Sequence, residues 1–236
     1  NYRWVYHQLF GPLYRPEDIH IGTLASLLAA MNGGITTVCD NAHNLRTSAH
    51  ADASIMALKN SGIRGIHAHA RPRDGEYEMR FPDDAERVMR EHFGSDDQLT
   101  TMRLYMLGRD PFEELERVVQ MRRRLDCWIT FDSGIGSQPL VELYRDGRLD
   151  GRETINHGNF VSREKMEAVA AARAQVNVCP RIETQFRYGD VPYQAWREVG
   201  IRPAISNDDP GTYAINMFSE MQALYAEGRK VDWMFE

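Results

Sequence analysis

The chain has 236 residues, 42% hydrophobic and 26% charged, with 28 Lys and Arg against 34 Asp and Glu for a formal net charge of −6. That composition excludes a disordered chain, a collagen-like fibre and a disulfide-stapled miniprotein, and the length suffices for the core of one large domain or two small ones. The mild negative charge carries no Lys/Arg cluster, and there is neither an apolar run of about 18 residues nor a signal-peptide pattern, so no nucleic-acid or membrane partner is expected.

Apolar runs of strand length alternate with helical patterns. Leu24, Leu27, Leu28 and Met31 recur at helical spacing, and Gly33-Gly34 closes that helix. The β-rich run Ile35–Asp40 follows, then a helix over 50–61 ending at Gly62 and a strand over Ile63–Ala70. A polar loop, Arg71–Pro82, precedes a helix over 83–93 and a strand over Leu99–Leu107. The next helix starts at Asp110-Pro111, with Pro at its first position. Strand Cys127–Asp132 leads to a helix over Pro139–Arg145, strand Thr154–Phe160 to a helix N-capped by Ser162, and strand Gln175–Cys179 to a helix over 191–199. Strand Arg202–Asn207 and a helix over 214–227 complete the series.

Strict β-then-α alternation predicts a parallel sheet covered by helices. A doubly wound sheet would carry a Gly-rich turn after its first strand, and Asp40-Asn41-Ala42-His43 has none. The pattern therefore predicts an α/β fold of the (β/α)8 TIM-barrel type, as a single domain over 1–236 with one strand missing from the count. Cys39, Cys127 and Cys179 are far apart in apolar runs. They predict buried thiols in a reducing cytoplasm, without bridges.

In such a barrel the chemistry sits at the carboxyl ends of the strands. There the sequence places Asp40 and His43, the His67/His69 pair, Asp132, His157, Glu183 and Asn207-Asp208-Asp209. Burying such groups is costly unless they are paired or bound to metal. Each also has a purely structural explanation. His67 and His69 share a face at a zinc-chelating spacing, yet an isolated pair is equally a core feature. His43 can cap a loop, and Asp132 can open the turn at Ser133-Gly134. Met102, Met106, Met121, Met217 and Met221 have the spacing of core residues. Glu113, Glu114 and Glu116 with Arg122–Arg124 form a solvated helix face.

The segment Thr154-Ile155-Asn156-His157-Gly158-Asn159-Phe160 resembles the sixth-strand His-Gly motif of the amidohydrolase superfamily. Val178-Cys179-Pro180 and Ala204-Ile205-Ser206-Asn207-Asp208-Asp209-Pro210 resemble the seventh- and eighth-strand signature of adenosine deaminases. Tyr14–Asp18 and Gly34–Asp40 are closer to the cytosine deaminase/chlorohydrolase branch. The resemblance implies one divalent metal ion, zinc or alternatively iron, with metal ligands at His157, Asp208 and Asp132. It implies a catalytic role for Asp208, which takes a proton from the attacking water, and substrate-binding roles for His43, Glu183 and Asp209. The implied reaction is hydrolysis at a C–N bond of a nitrogen-containing ring or amide, with deamination as the leading subtype. The implied partners are a small-molecule substrate and a second copy of the chain.

The sequence departs from the family at the strand ending Asp132-Ser133-Gly134-Ile135. Asp132 stands where the family has a metal-binding His, and Ile135 where deaminases have the Glu that shuttles a proton. The resemblance implies that 1–236 is a single metal-dependent hydrolase barrel domain running from strand two to strand eight, lacking its first strand and truncated at both ends. The family's strand-one His-x-His is expected upstream of residue 1, since His67/His69 falls on another strand. Two alternatives stay open: a cyclic-amide or ring-substituent hydrolase without deamination, and a non-catalytic or truncated relative that binds without turnover. A phosphate-binding barrel has no Gly-rich or basic turn to support it.

Overall fold

The computed structural model describes residues 3–108, 110–132, 134–186 and 188–229. Ser133 and Met234-Phe235-Glu236 lie outside these. Seven strands follow one another in chain order through a single sheet: β1 (Thr37–Ala42), β2 (Arg64–His69), β3 (Thr100–Leu107), β4 (Trp128–Asp132), β5 (Glu153–Asn156), β6 (Gln175–Val178) and β7 (Ala204–Ile205). Nine α-helices accompany them among the described residues: α1 (Pro16–Asn32), α2 (Ser48–Ser61), α3 (Asp84–His92), α4 (Phe112–Leu125), α5 (Leu140–Arg145), α6 (Arg163–Ala171), α7 (Pro180–Phe186), α8 (Tyr193–Glu198) and α9 (Met217–Arg229). Parallel ladders with helical crossovers make this a partial (β/α)8 barrel. The chain divides into two compact units.

Unit 1 comprises 1–31, 35–106 and 115–129. Its ladders pair Thr37 with Arg64 and Gly65 with Thr100. Helix α2 stops at Gly62, whose φ of +74° suits a residue without Cβ, and its amide reaches Lys59 O. Three residues on, a Cβ at Gly65 would lie 2.4 Å from Leu58, so the bare backbone of β2 lets α2 settle onto it. Leu27, Leu58 and Ile63 form the core there, with Val38 against them. Burial of each such side chain contributes about 1.5–3 kcal/mol. The Arg71–Pro82 loop is organised by the buried Arg46, which donates to the carbonyls of Gly11, Asp74 and Glu76.

Unit 2 comprises 32–34, 107–114 and 130–236. Thr154 pairs with Gln175, Asn156 with Asn177, and Val178 with Ile205. Ile155, Val176 and Val178 alternate into the core, and the fully buried Trp196 lies on α8. Because β5, β6 and β7 are parallel neighbours, their carboxyl ends fall side by side. Those ends carry His157, Cys179 and Asp208.

Several expectations are corrected. The strand expected over Thr154–Phe160 ends at Asn156, because His157, Gly158 and Phe160 have φ of +67°, +66° and +58° and break the extended backbone. The last strand shrinks to Ala204–Ile205, and the last helix starts at Met217. Helix α7, begun by Pro180, follows β6 at once and was not expected. Ser162 has N-cap geometry without a side-chain cap bond. Cys39 is exposed, unlike Cys127 and Cys179, and none of the three is bridged. Met221 is exposed beside Phe218 and Tyr225 on α9, and Arg122 is fully buried, not solvated.

Candidate metal centre

His157 projects from the turn after β5 into a ring of acidic groups, all within unit 2. Asp132 Oδ1 lies 3.3 Å and Asp208 Oδ2 3.4 Å from Nε2. On the other side of the ring, Nδ1 meets Glu183 Oε1 at 3.1 Å. The same oxygen accepts the Cys179 amide at 2.8 Å, so a fully buried carboxylate on α7 fixes both the imidazole and the end of β6. Tyr188 stands edge-on to the ring at 5.6 Å and stacks with Phe186 at 6.0 Å.

The turns that present these groups are strained by design. His157 and Asp208 both occupy left-handed backbone, at φ +67° and +61°. Non-glycine residues held there cost about 1–3 kcal/mol each and persist only where the surroundings impose it. At His157 the constraint is Trp196, whose Nε1 donates to Gly158 O at 3.2 Å. A Cβ at position 158 would lie 2.5 Å from that nitrogen, so the turn needs glycine beside the histidine. At Asp208 the constraint is Asn207, whose Nδ2 donates to the buried Glu220 at 3.0 Å. Glu220 also accepts the Arg181 amide at 3.1 Å and thereby ties α9 to the start of α7.

Burial works to lower the His157 pKa, but the acidic neighbours Cys179, Asp132 and Glu183 outweigh it and hold the imidazolium well above its ordinary range. Burial pushes the Cys179 thiol up to about 12, with His157 opposing. Burial also raises the Glu220 carboxyl, against the Arg181 contacts.

The donor set fits a divalent ion. Nitrogen and oxygen donors on a tetrahedral zinc lie about 3.3 Å apart, given bonds of about 2.0–2.1 Å. The two Nε2–carboxylate separations match that edge, but the group whose ligand atoms all lie within 4.8 Å of one another is His157, Cys179 and Asp208, without Asp132. A metal-ligating His also keeps its second nitrogen on a carboxylate, the part Glu183 plays here.

The structure thus brings His157, Asp132, Asp208 and Glu183 together. Glu183, expected to line a substrate pocket, instead has its carboxylate turned onto the imidazole. Asp209 bonds the Gly211 amide at 2.7 Å and the Thr212 hydroxyl, bracing its own turn. His43 lies in unit 1, its ring 5.1 Å from His7 and 5.9 Å from Tyr105. Sequence reasoning missed Cys179, Tyr188 and Glu220. Cys179 was readable as a strand-end residue of the same kind as His157; nothing local marks the other two.

No protein-family model and no curated protein matches the chain. Solved structures do. An adenosine deaminase from Xanthomonas campestris with bound zinc superposes at a TM-score of 0.78 and 19% identity, over 98% of this chain and 56% of that one. An amidohydrolase from Brucella melitensis does so at 0.71 and 17%, over 98% and 59%. The chain shares the fold of these structures. A zinc-complexed atrazine chlorohydrolase from Arthrobacter aurescens superposes at 0.69 and 19%, over 86% and 51%. The chain therefore spans between half and three-fifths of the length of each. No helix among the described residues is long and apolar enough to cross a membrane.

Proposed function

We propose that residues 1–236 form the catalytic domain of a metal-dependent hydrolase that cleaves a C–N bond of a nitrogen-containing ring or amide, with deamination as the first activity to test. The observation that carries this is His157: one ring nitrogen faces two carboxylates at zinc-donor spacing, and the other is held by a buried carboxylate. His157, Asp208 and Asp132 would hold one zinc ion, or iron in its place. The ion supplies Lewis acidity that lowers the pKa of water toward 7. Asp208, about one-third exposed on its solvent side, accepts the water proton and passes it on. Glu183 fixes the imidazole tautomer, with Nδ1–H donating to it. Tyr188 and Phe186 offer aromatic faces to a planar heterocycle.

Ile135 favours a second activity. By the sequence resemblance it stands at the position of the deaminases' proton-shuttling Glu; it is buried, and an alkyl chain moves no proton. Loss of a ring substituent that needs no such help is the alternative. The three free cysteines support a reducing, cytoplasmic setting.

The test pairs zinc analysis of the purified protein with a panel of aminated and halogenated heterocycles and cyclic amides. Bound zinc with ammonia release, abolished in Asp208→Asn, supports deamination. Turnover without ammonia selects the alternative. Absence of stoichiometric zinc together with absence of turnover overturns the proposal in favour of a non-catalytic binding protein, and full activity in Asp208→Asn overturns the mechanism.

A further inference from the structure

Cys179 ends β6 beside His157 and has no part in the chemistry proposed above. Its side chain is buried, and its Sγ forms a group with a ring nitrogen of His157 and a carboxylate oxygen of Asp208, all within 4.8 Å of one another. Among the described residues, no other triad of His, Cys, Asp and Glu is so arranged. A tetrahedral zinc spaces its sulfur and nitrogen donors about 3.6 Å apart, a contraction that side-chain rotation supplies. The backbone bearing the sulfur and the ring bearing the nitrogen are fixed by the same Glu183 oxygen, so the two donors are held in register before any ion arrives.

We propose that Cys179 is a thiolate ligand of the ion, forming with His157 and Asp208 a mixed nitrogen, sulfur and oxygen centre. This rests on the metal-dependent reading above. On binding, a sulfur–metal bond replaces the S–H bond and the thiol proton passes to solvent. In this set Cys179 takes the ligand position given to Asp132 above: three protein donors would leave a fourth position open, as a catalytic zinc site requires, and Asp132 would accept a hydrogen bond from water. Thiolate ligation makes the centre select zinc, cobalt(II) or cadmium over magnesium and manganese.

The test is cobalt(II) titration of the full chain in a Cys39→Ser background, which removes the exposed thiol. One equivalent of cobalt should give a sulfur-to-metal charge-transfer band in the near ultraviolet. Adding Cys179→Ser should abolish that band and weaken zinc binding by at least about 10–100-fold, the loss typical of an outer-shell partner. Should Cys179→Ser fold poorly, Cys179→Ala in the same background gives the same readout. Cobalt bound at one equivalent without the band, or a band that survives Cys179→Ser, overturns thiolate ligation and leaves the hydrolase reading standing. Failure to bind any ion overturns both.

Discussion

The molecule buries histidine in two places, and the two clusters behave oppositely. In unit 1, His67 and His69 are fully buried, 3.2 Å apart between Nε2 and Nδ1. His67 stacks on Phe93, and His69 lies against Phe81. Asp84 lies 3.7 Å from His69 Nε2, but Arg87 engages both oxygens of that carboxylate. Burial dominates, pushing His69 down to about 4 and His67 well below its ordinary value, with His69 and His92 adding repulsion. In unit 2, His157 is buried too, though less completely, and its acidic neighbours reverse the sign. A His-x-His spacing is thus a packed neutral pair, while a lone His among carboxylates is the site that can hold a cation. Burial marks neither; the charge of the neighbours separates them.

The largest expected effects fall on that contrast. His157→Ala should reduce bound zinc from about one equivalent to background, and Asp208→Asn should lower turnover by about 10²–10⁴-fold. The double substitution His67→Leu/His69→Leu should leave zinc content unchanged. Zinc lost from the double variant and retained in His157→Ala would invert the assignment. Next in size is Gly158→Ala. It adds left-handed strain to a 2.5 Å approach to Trp196 and should cost roughly 2–4 kcal/mol of stability in urea unfolding. Gly147, also left-handed but with open space around it, is the matched control, at about 1 kcal/mol.

Much of this was legible in the residues. Alternation of apolar runs with helical spacing predicted seven strands in order, because period and turn chemistry are local. His157, Asp132 and Asp208 were legible because parallel strands bring their ends together whatever the loops do. The rest depended on contacts distant in sequence. Glu183 reads as a pocket residue until α7 turns its carboxylate inward. Strand β5 reads as continuing to Phe160 until the Trp196 clamp, 38 residues on, imposes the left-handed turn. Cys39 reads as core from its apolar flanks, but side-chain alternation along β1 leaves it exposed.

A smaller effect separates the clusters by pH. A histidine whose folded pKa lies below its unfolded value of 6.5 is neutral when folded, and the unfolded chain binds the extra proton. Its contribution is fully present above pH 6.5 and is lost as pH falls from 6.5 toward 4. For His69 alone the loss amounts to about 3 kcal/mol. Urea titrations between pH 7 and 4 should show that acid limb, with Asp84, Asp52, Arg87 and His92 unchanged in sequence. The His67→Leu/His69→Leu variant should flatten it. A limb of undiminished slope in the variant would place its origin elsewhere.

The smallest effect probes how the unit 2 centre is held. Glu220 accepts two hydrogen bonds, one from Asn207 and one from the Arg181 amide, and so spans the turn bearing Asp208 and the helix bearing Glu183. Glu220→Gln keeps the shape but sets an NH2 against one of those two donors, at a cost of about 1–3 kcal/mol. Stability alone does not distinguish a brace from a positioning group; ligand affinity does. Glu220→Gln should weaken zinc binding by about 10-fold, since the Asp208 turn is free to relax from its left-handed geometry, while His67→Leu/His69→Leu does not. Glu220→Gln that loses stability yet binds zinc with unchanged affinity would make Glu220 a structural brace and leave Asp208 positioned by its own turn.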